Sequence, residues 1–272
     1  MYSGSTLTNR SGNILGAHQK INRMARKALG EMLLDDKKFP AKRLLLHFEG
    51  KNGPDGMKKK SAGSEPWHFY DPFDPEDTRL LGIIDEHFEN LVKELKEGNK
   101  ERAAFEAAWL SHAIVDGLTP AHHFPYEQHI DNIHGNTKEQ RDTVLKKIVA
   151  PGGTTIQMLH NNWKIWGVKG LMTTHSMFEA GAATIIMPLS VNIAYPSKYD
   201  IKNVQRIGFE EYYKRVAREV ALLDLYDLFY RRGWSSKLTK LIKKEMAPRM
   251  ASSVTLAWFL AAKKAGLTKK IT

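Results

Sequence analysis

At 272 residues and 42% hydrophobic content, the chain carries enough apolar side chain for a sizeable core in one large or two small domains, which excludes disorder as its main state. It contains no cysteine, so disulfides and thiolate metal sites are excluded, while the redox compartment stays open. The net charge is +11, and eleven Lys or Arg against the single Glu245 from Arg231 onward place +10 of it in one region. Such a region either attracts anionic partners or is the solvated face of an amphipathic helix.

Residues 1–16, rich in Ser, Thr, Gly and Asn, read as a flexible arm or as the remnant of a removed leader. Residues 19–34 carry Ile21, Met24, Ala25, Ala28, Leu29, Met32 and Leu33, a helical stripe. After Pro40 comes a short apolar segment, 41–48, then a loop over 49–66 rich in Gly, Lys and Ser in which nothing reads as core. The turn-rich run Tyr70-Asp71-Pro72-Phe73-Asp74-Pro75 precedes a helix over 76–97 that Gly98-Asn99 closes, and a second helix follows over 100–115. That helix ends near Gly117 and Pro120 opens a new segment, so His122 lies just past a helix end. A helix over 138–149 is stopped by Pro151-Gly152-Gly153. Further helices are expected over 170–187, 208–230 and 236–266, the last interrupted near Pro248.

Strand signals are almost absent, and no repeat or linker divides the chain, so the expected fold is all-α, a single-domain multi-helix bundle. No apolar run of about 18 residues or more occurs, so no transmembrane segment is expected. With no secretory h-region either, the expectation is a cytoplasmic protein if Met1 is native and a secreted one if a leader was removed.

Chemistry concentrates in two couplets, His112-x-x-x-Asp116 and His175-x-x-x-Glu179, with His122 and His68 nearby and His18 far upstream. Residues four apart share a helix face, so each couplet can present an imidazole and a carboxylate to one point. Imidazole and carboxylate without thiolate suit zinc at a hydrolytic site.

Taken together, Gly16-Ala17-His18, Trp67-His68-Phe69-Tyr70-Asp71-Pro72, the stretch from His112 through Asp116 and Pro120 to His122, and His175-Ser176-Met177-Phe178-Glu179 resemble the bacterial zinc-dependent phospholipase C family in order and internal spacing. The secreted fungal single-strand-specific nucleases look alike in scaffold. The resemblance covers roughly residues 18–179, with a weaker echo at Leu256, Trp258 and Phe259. It implies a bundle of the phospholipase C/nuclease type, with residues 17–272 as one helical domain, an insertion at about 124–170, and two or three zinc ions. His68, His112 and Asp116 would hold the first ion, with Asp55 as the fourth ligand because it lies at about the family's distance upstream of His68. His122, His175 and Glu179 would hold the second, and His18 with a bridging Asp116 the third. Cations a few ångströms apart activate water and neutralise phosphate oxygens during in-line attack. Asp55 and Asp116 are then the expected catalytic carboxylates, Asp55 as the group that orients the water or takes its proton.

Two departures stand out. The family's third zinc is chelated by the amino group and carbonyl of an N-terminal tryptophan, and this chain has no tryptophan before Trp67, so that ligand pair is expected to be missing if Met1 is the terminus. The connection from His122 to His175 is also long, and it contains His123, His129, His134, His160, Trp163 and Trp166. A long segment beside a site acts as a lid or substrate wall. Its histidines read as surface or packing residues, with His123 the exception to watch because it adjoins a ligand. Its tryptophans could stack on bases, meet lipid, or form a helix's core face. His47 and His87 read as structural or solvent-facing, and Phe69 and Tyr70 as walls of the site. The function these residues imply is a phospholipase C-like phosphodiesterase acting on phospholipid, with an anionic membrane surface as a further partner. A single-strand nuclease or nucleotidase acting on nucleic acid, and a catalytically weakened metal-binding descendant, are the alternatives.

Overall fold

The structure, a computed structural model, describes residues 1–4, 15–57, 66–137 and 140–269. Among these residues it is all-helical. No strand forms, and an isolated bridge between Leu33 and Thr268 ties the end of the chain to the end of the first helix.

The apolar stripe of Ile21, Met24, Ala25, Ala28 and Leu29 builds α1 (Ala17–Met32) and is buried along its length. Two short helices follow, α2 (Lys42–His47) and α3 (Pro54–Met57). Helices α4 (Arg79–Glu97) and α5 (Lys100–Gly117) form an antiparallel hairpin. Gly98 ends α4 at φ 74°, a left-handed cap that glycine adopts without steric cost, and the Asn99 side chain accepts from Arg102 N to start α5. Ala103, Ala104, Ala107 and Ala108 keep α5 slim, so neighbouring helices approach closely and bury it on nearly all sides.

The long connection contributes α6 (Tyr126–His134), α7 (Val144–Ile148) and α8 (Thr155–Trp166), and α9 (Leu171–Ile186) returns to the bundle. Next come α10 (Lys198–Ile207), α11 (Phe209–Ala221), α12 (Leu225–Arg232) and α13 (Ser236–Leu241). A π-turn over Ile242–Met246 then leads into α14 (Ala247–Lys264). This last helix is apolar around most of its circumference and packs against α1, α4, α5 and α11. Its Trp258 is fully buried and donates its indole N–H to the Ala107 carbonyl at 3.0 Å, which fixes α14 against α5.

Several local expectations change. The helix expected over 138–149 is only α7, preceded by the unforeseen α6. The helix expected over 208–230 breaks at Asp224, which sits at φ 54°. The loop over 49–66 does contribute to the interior, because Glu49, Gly50, Gly53 and Pro54 are buried. Residues 1–4 are not a free arm. Met1 and Ser3 are buried, and Ala17 N donates to the Tyr2 carbonyl at 2.8 Å. The rest of that expected arm, 5–14, lies outside the described residues. No single helix among the described residues is long and apolar enough to cross a membrane.

Candidate metal centre

The inner end of α5 carries the centre. His112 and Asp116, one turn apart, face the same side, and both are buried. Around Asp116 the two carboxylate oxygens meet separate groups of nitrogens. Oδ2 lies 2.5 Å from His68 Nδ1 and 3.1 Å from His112 Nε2. Oδ1 lies 2.6 Å from the amino nitrogen of Met1 and 3.3 Å from His18 Nε2. Asp55 Oδ1 approaches His112 Nε2 at 3.8 Å from the Oδ2 side. A carboxylate with one donor set at each oxygen is arranged as a bridge.

A second focus lies at Glu179, one turn from His175 on α9. Its Oε1 is 2.8 Å from His122 Nε2, 3.3 Å from His175 Nε2 and 2.9 Å from the Met1 nitrogen. His122 Nδ1 is 2.9 Å from the His68 carbonyl, which can only accept, so Nδ1 carries a proton. In a neutral ring Nε2 then turns a lone pair toward a carboxylate oxygen. That contact is unfavourable unless a proton or a cation sits between the two atoms.

All eight residues expected from the sequence therefore converge: His18, Asp55, His68, His112, Asp116, His122, His175 and Glu179. Among the described residues, three groups could hold a metal ion, with ligand atoms within 4.8 Å of one another in each. They are Asp55, His68 and His112; His122, His175 and Glu179; and His18, Glu49 and His112. The first and third compete for His112. A neutral imidazole has one lone pair, and Nε2 faces Asp55 and Asp116, whereas Nδ1 faces Glu49 Oε2 at 3.2 Å. With Nε2 as ligand, Nδ1–H donates to Glu49, which makes Glu49 the carboxylate that orients the ring. Glu49 Oε1 in turn accepts from Asn22 Nδ2 at 3.2 Å, and Asn22 Oδ1 accepts from Ser111 Oγ at 2.5 Å. Neither Glu49 nor this buried relay was expected from the sequence, where Glu49 merely opens a glycine-rich loop.

The N-terminus was read as lacking a ligand pair, yet the Met1 nitrogen and carbonyl both face the centre, the carbonyl 2.8 Å from His18 Nε2. In a chain that starts at Met1, these two backbone atoms stand where such a pair would be needed. Burial works against the Met1 ammonium, but Asp116, Glu179 and Asp55 outweigh it and raise its pKa. Burial likewise opposes charge on Asp116 and Glu179. The Met1 ammonium first, then the facing histidines, hold both well below the usual carboxylate range. Burial also disfavours a charged His112, yet Asp116, Glu49 and Asp55 raise it to about 10. Burial and the Met1 ammonium push His122 down to about 4. Asp55, Asp116 and Glu179 thus gather beside the Met1 ammonium and His112, a largely buried arrangement in which carboxylates and nitrogens offset one another's charge. Neither a scan of protein-family models nor a search of curated proteins matches this chain.

The centre opens into a cavity of about 190 Å³ lined by His68, His122 and His175 and walled by Phe69, Tyr126 and Trp166. Phe69 is therefore a wall as expected, whereas Tyr70 is buried and stacks on Tyr213 in the core. Of the other histidines in the long connection, His123 turns away to the Gly117 carbonyl at 2.9 Å, His129 stacks on Phe124, His134 is buried, and His160 faces solvent. His87 pairs with Glu106 at 2.6 Å, and His47 is exposed beside Asn52. A larger groove of about 670 Å³ runs between α4, α11 and α14, but no histidine lines it and it lies apart from this chemistry.

Proposed function

We propose that this protein is a zinc-dependent phosphodiester hydrolase of the phospholipase C type, with phospholipid as its substrate class. The observation that carries the reading is Asp116, whose two oxygens face separate sets of nitrogen donors. The fit to cations rests on that arrangement and on the His122 lone pair aimed at Glu179. In tetrahedral zinc sites with ligand bonds near 2.0–2.1 Å, neighbouring donor atoms lie about 3.3 Å apart. Three separations fall close to that value, His112 Nε2 to Asp116 at 3.1 Å, His18 Nε2 to Asp116 at 3.3 Å and His175 Nε2 to Glu179 at 3.3 Å, while the others range from 2.5 to 3.8 Å.

Asp55, His68, His112 and Asp116 would hold one ion, and His122, His175 and Glu179 a second. His18, Asp116 and the amino nitrogen and carbonyl of Met1 would hold a third in a chain that starts at Met1. When bound, such a cluster supplies positive charge for the phosphate oxygens and acidifies water. Asp55, the most exposed carboxylate of the first set, takes the proton of the attacking water. Glu49 keeps the His112 tautomer fixed. Phe69, Tyr126 and Trp166 restrict water around the reacting phosphate, which strengthens electrostatic interactions there.

The test is zinc per chain by elemental analysis, on protein purified without chelators and with its N-terminus confirmed by mass, together with release of phosphorylated headgroup from phosphatidylcholine. Two or three zinc ions and headgroup release are expected, with release abolished in Asp116→Asn. Zero or one zinc after replenishment would overturn the reading. Cleavage of single-stranded DNA without headgroup release would replace phospholipid by nucleic acid.

A further inference from the structure

Helix α8 places Ile156, Leu159, Trp163 and Trp166 at spacings of three, four and three residues, one stripe of an amphipathic helix. Such a stripe ordinarily faces a core. Here it faces solvent, with Ile156 80%, Leu159 63%, Trp163 66% and Trp166 42% exposed. Ile165, on the other side of the helix, turns inward to the catalytic cavity instead.

Helix α7 extends the exposed apolar surface. Trp166 donates its indole N–H to the Ile148 carbonyl at 2.7 Å, and Asn162 bonds the Ala150 backbone at 2.8 and 3.1 Å, so α7 and α8 are held side by side. Leu145 and Ile148 of α7 are themselves 71% and 48% exposed. The hairpin is basic as well as apolar. Lys164 and Lys169 are exposed, as is Lys146 beside its ion-pair partner Asp142, and Lys147 is half-buried, while Arg141 is buried and pairs with Glu127 and Asp131.

We infer that the exposed face of α7 and α8 is an interfacial docking surface for an anionic lipid bilayer, seating the mouth of the metal centre on the membrane. Exposed Trp, Leu and Ile interleaved with Lys are the chemistry of a helix lying in the headgroup region, where indoles sit at the interface and each lysine gains from the negative surface potential. Position supports the same occupant. Trp166 belongs both to the exposed stripe and to the cavity wall, and Lys147 of α7 also lines that cavity. A lipid at the docked face is therefore beside the centre. A second copy of the chain fits less well, because a two-fold contact across this face would bring the same basic hairpins together. The inference rests on the phospholipid reading of the centre, but adsorption can be measured without hydrolysis.

The experiment is cosedimentation of the zinc-loaded full chain with sucrose-loaded vesicles of phosphatidylcholine and phosphatidylglycerol, compared with Ile156→Ser/Leu159→Ser. Neither residue lines the cavity, so hydrolysis of a soluble short-chain substrate should be unchanged in the variant and reports that the centre is intact. The native chain should bind anionic vesicles more tightly than pure phosphatidylcholine ones, and the double variant should bind them about tenfold more weakly or worse, given two apolar side chains removed from the interface. Absence of vesicle binding, or equal binding by the variant, overturns the proposal even if the soluble substrate is hydrolysed. A two-chain species in analytical ultracentrifugation that the variant abolishes, without vesicle binding, assigns the face to self-association. Vesicle binding without hydrolysis would instead leave the docking surface standing and remove the phospholipase reading.

Discussion

Glu49→Gln isolates the part of the centre that has no counterpart in the expected ligand set. Glu49 is buried, with one oxygen 3.2 Å from His112 Nδ1 and the other accepting from Asn22 Nδ2 at 3.2 Å. A carboxylate can accept from both neighbours at once. A glutamine cannot, since turning its oxygen toward His112 sets its amide NH2 against the Asn22 NH2, while the reverse flip leaves Nδ1–H facing another donor. Asn22 cannot simply rotate, because its Oδ1 already accepts from Ser111 Oγ at 2.5 Å. One buried donor therefore loses its partner, and the His112 ring loses the group that fixes its tautomer. Outer-sphere partners of this kind are worth about 10- to 100-fold in metal affinity, or roughly 1.4–2.7 kcal/mol. The measurement is competition for zinc against a chromophoric chelator, with elemental analysis of the number of ions retained. The variant should lose affinity at the ion that His112 holds and keep the His122, His175 and Glu179 ion, which Glu49 does not touch. Native affinity at every ion in Glu49→Gln would refute the orienting role.

Three further outcomes follow from the same geometry. A single glycine placed before Met1 converts its amine into an amide, which neither carries charge nor ligates, so elemental analysis should show one zinc fewer; an unchanged count would remove Met1 from the centre. In Gly117→Ala the new Cβ would press on Tyr213 Oη and lie 2.6 Å from Leu80 Cδ2, so urea unfolding should show a loss of about 1–3 kcal/mol, and an undiminished midpoint would mean α5 has slack there. The buried His134 ring is held below its ordinary pKa by burial and then by Arg141, against Asp131. Below pH 6.5 the unfolded chain takes up a proton that the fold resists, so this contribution to stability shrinks as pH falls through 6.5 toward the lower folded value. His134→Leu should flatten the fall in urea midpoint between pH 7 and pH 5, and an identical slope would exclude His134 as its source.

Much of the helical frame is legible in the sequence, and the failures have separate causes. Helices α1, α4 and α5 declare themselves through an apolar stripe or through Gly98 and Asn99 at the hairpin turn. Helix α10 carries its own start signal, the capping box of Ser197 and Asp200. The break at Asp224 has none in periodicity, because apolar residues continue across Leu222, Leu223 and Leu225; aspartate simply tolerates the left-handed backbone that turns the chain. Pro248 does mark an irregular place, yet the irregularity is the π-turn over Ile242–Met246 just before it, where the widened turn accommodates a residue with no N–H inside a continuing helix. The stripe on α8 was visible as residues but not as a surface, because periodicity shows that a face exists and not whether core, lipid or another chain covers it.

At the centre the candidate ligands legible in the sequence are those with a side-chain signature. His112 with Asp116 and His175 with Glu179 are paired by helical spacing, and His122 by its place after Pro120. The two contributions that were missed are those for which sequence has no alphabet. Glu49 reaches His112 only because the loop after α2 folds inward, a tertiary fact that no local pattern encodes. The Met1 amine and carbonyl are backbone atoms, present in whatever residue stands first, so no side-chain pattern announces their place beside Asp116 and His18. What selects such a terminus is the path that delivers it. Ala17 N donating to the Tyr2 carbonyl, and Gln19 Nε2 donating to the Ser3 carbonyl at 3.0 Å, clamp residues 2 and 3 against the start of α1, which leaves Met1 directed at Asp116. Gln19→Ala, which removes half of that clamp without touching any ligand, should therefore weaken the third ion while leaving the other two in place.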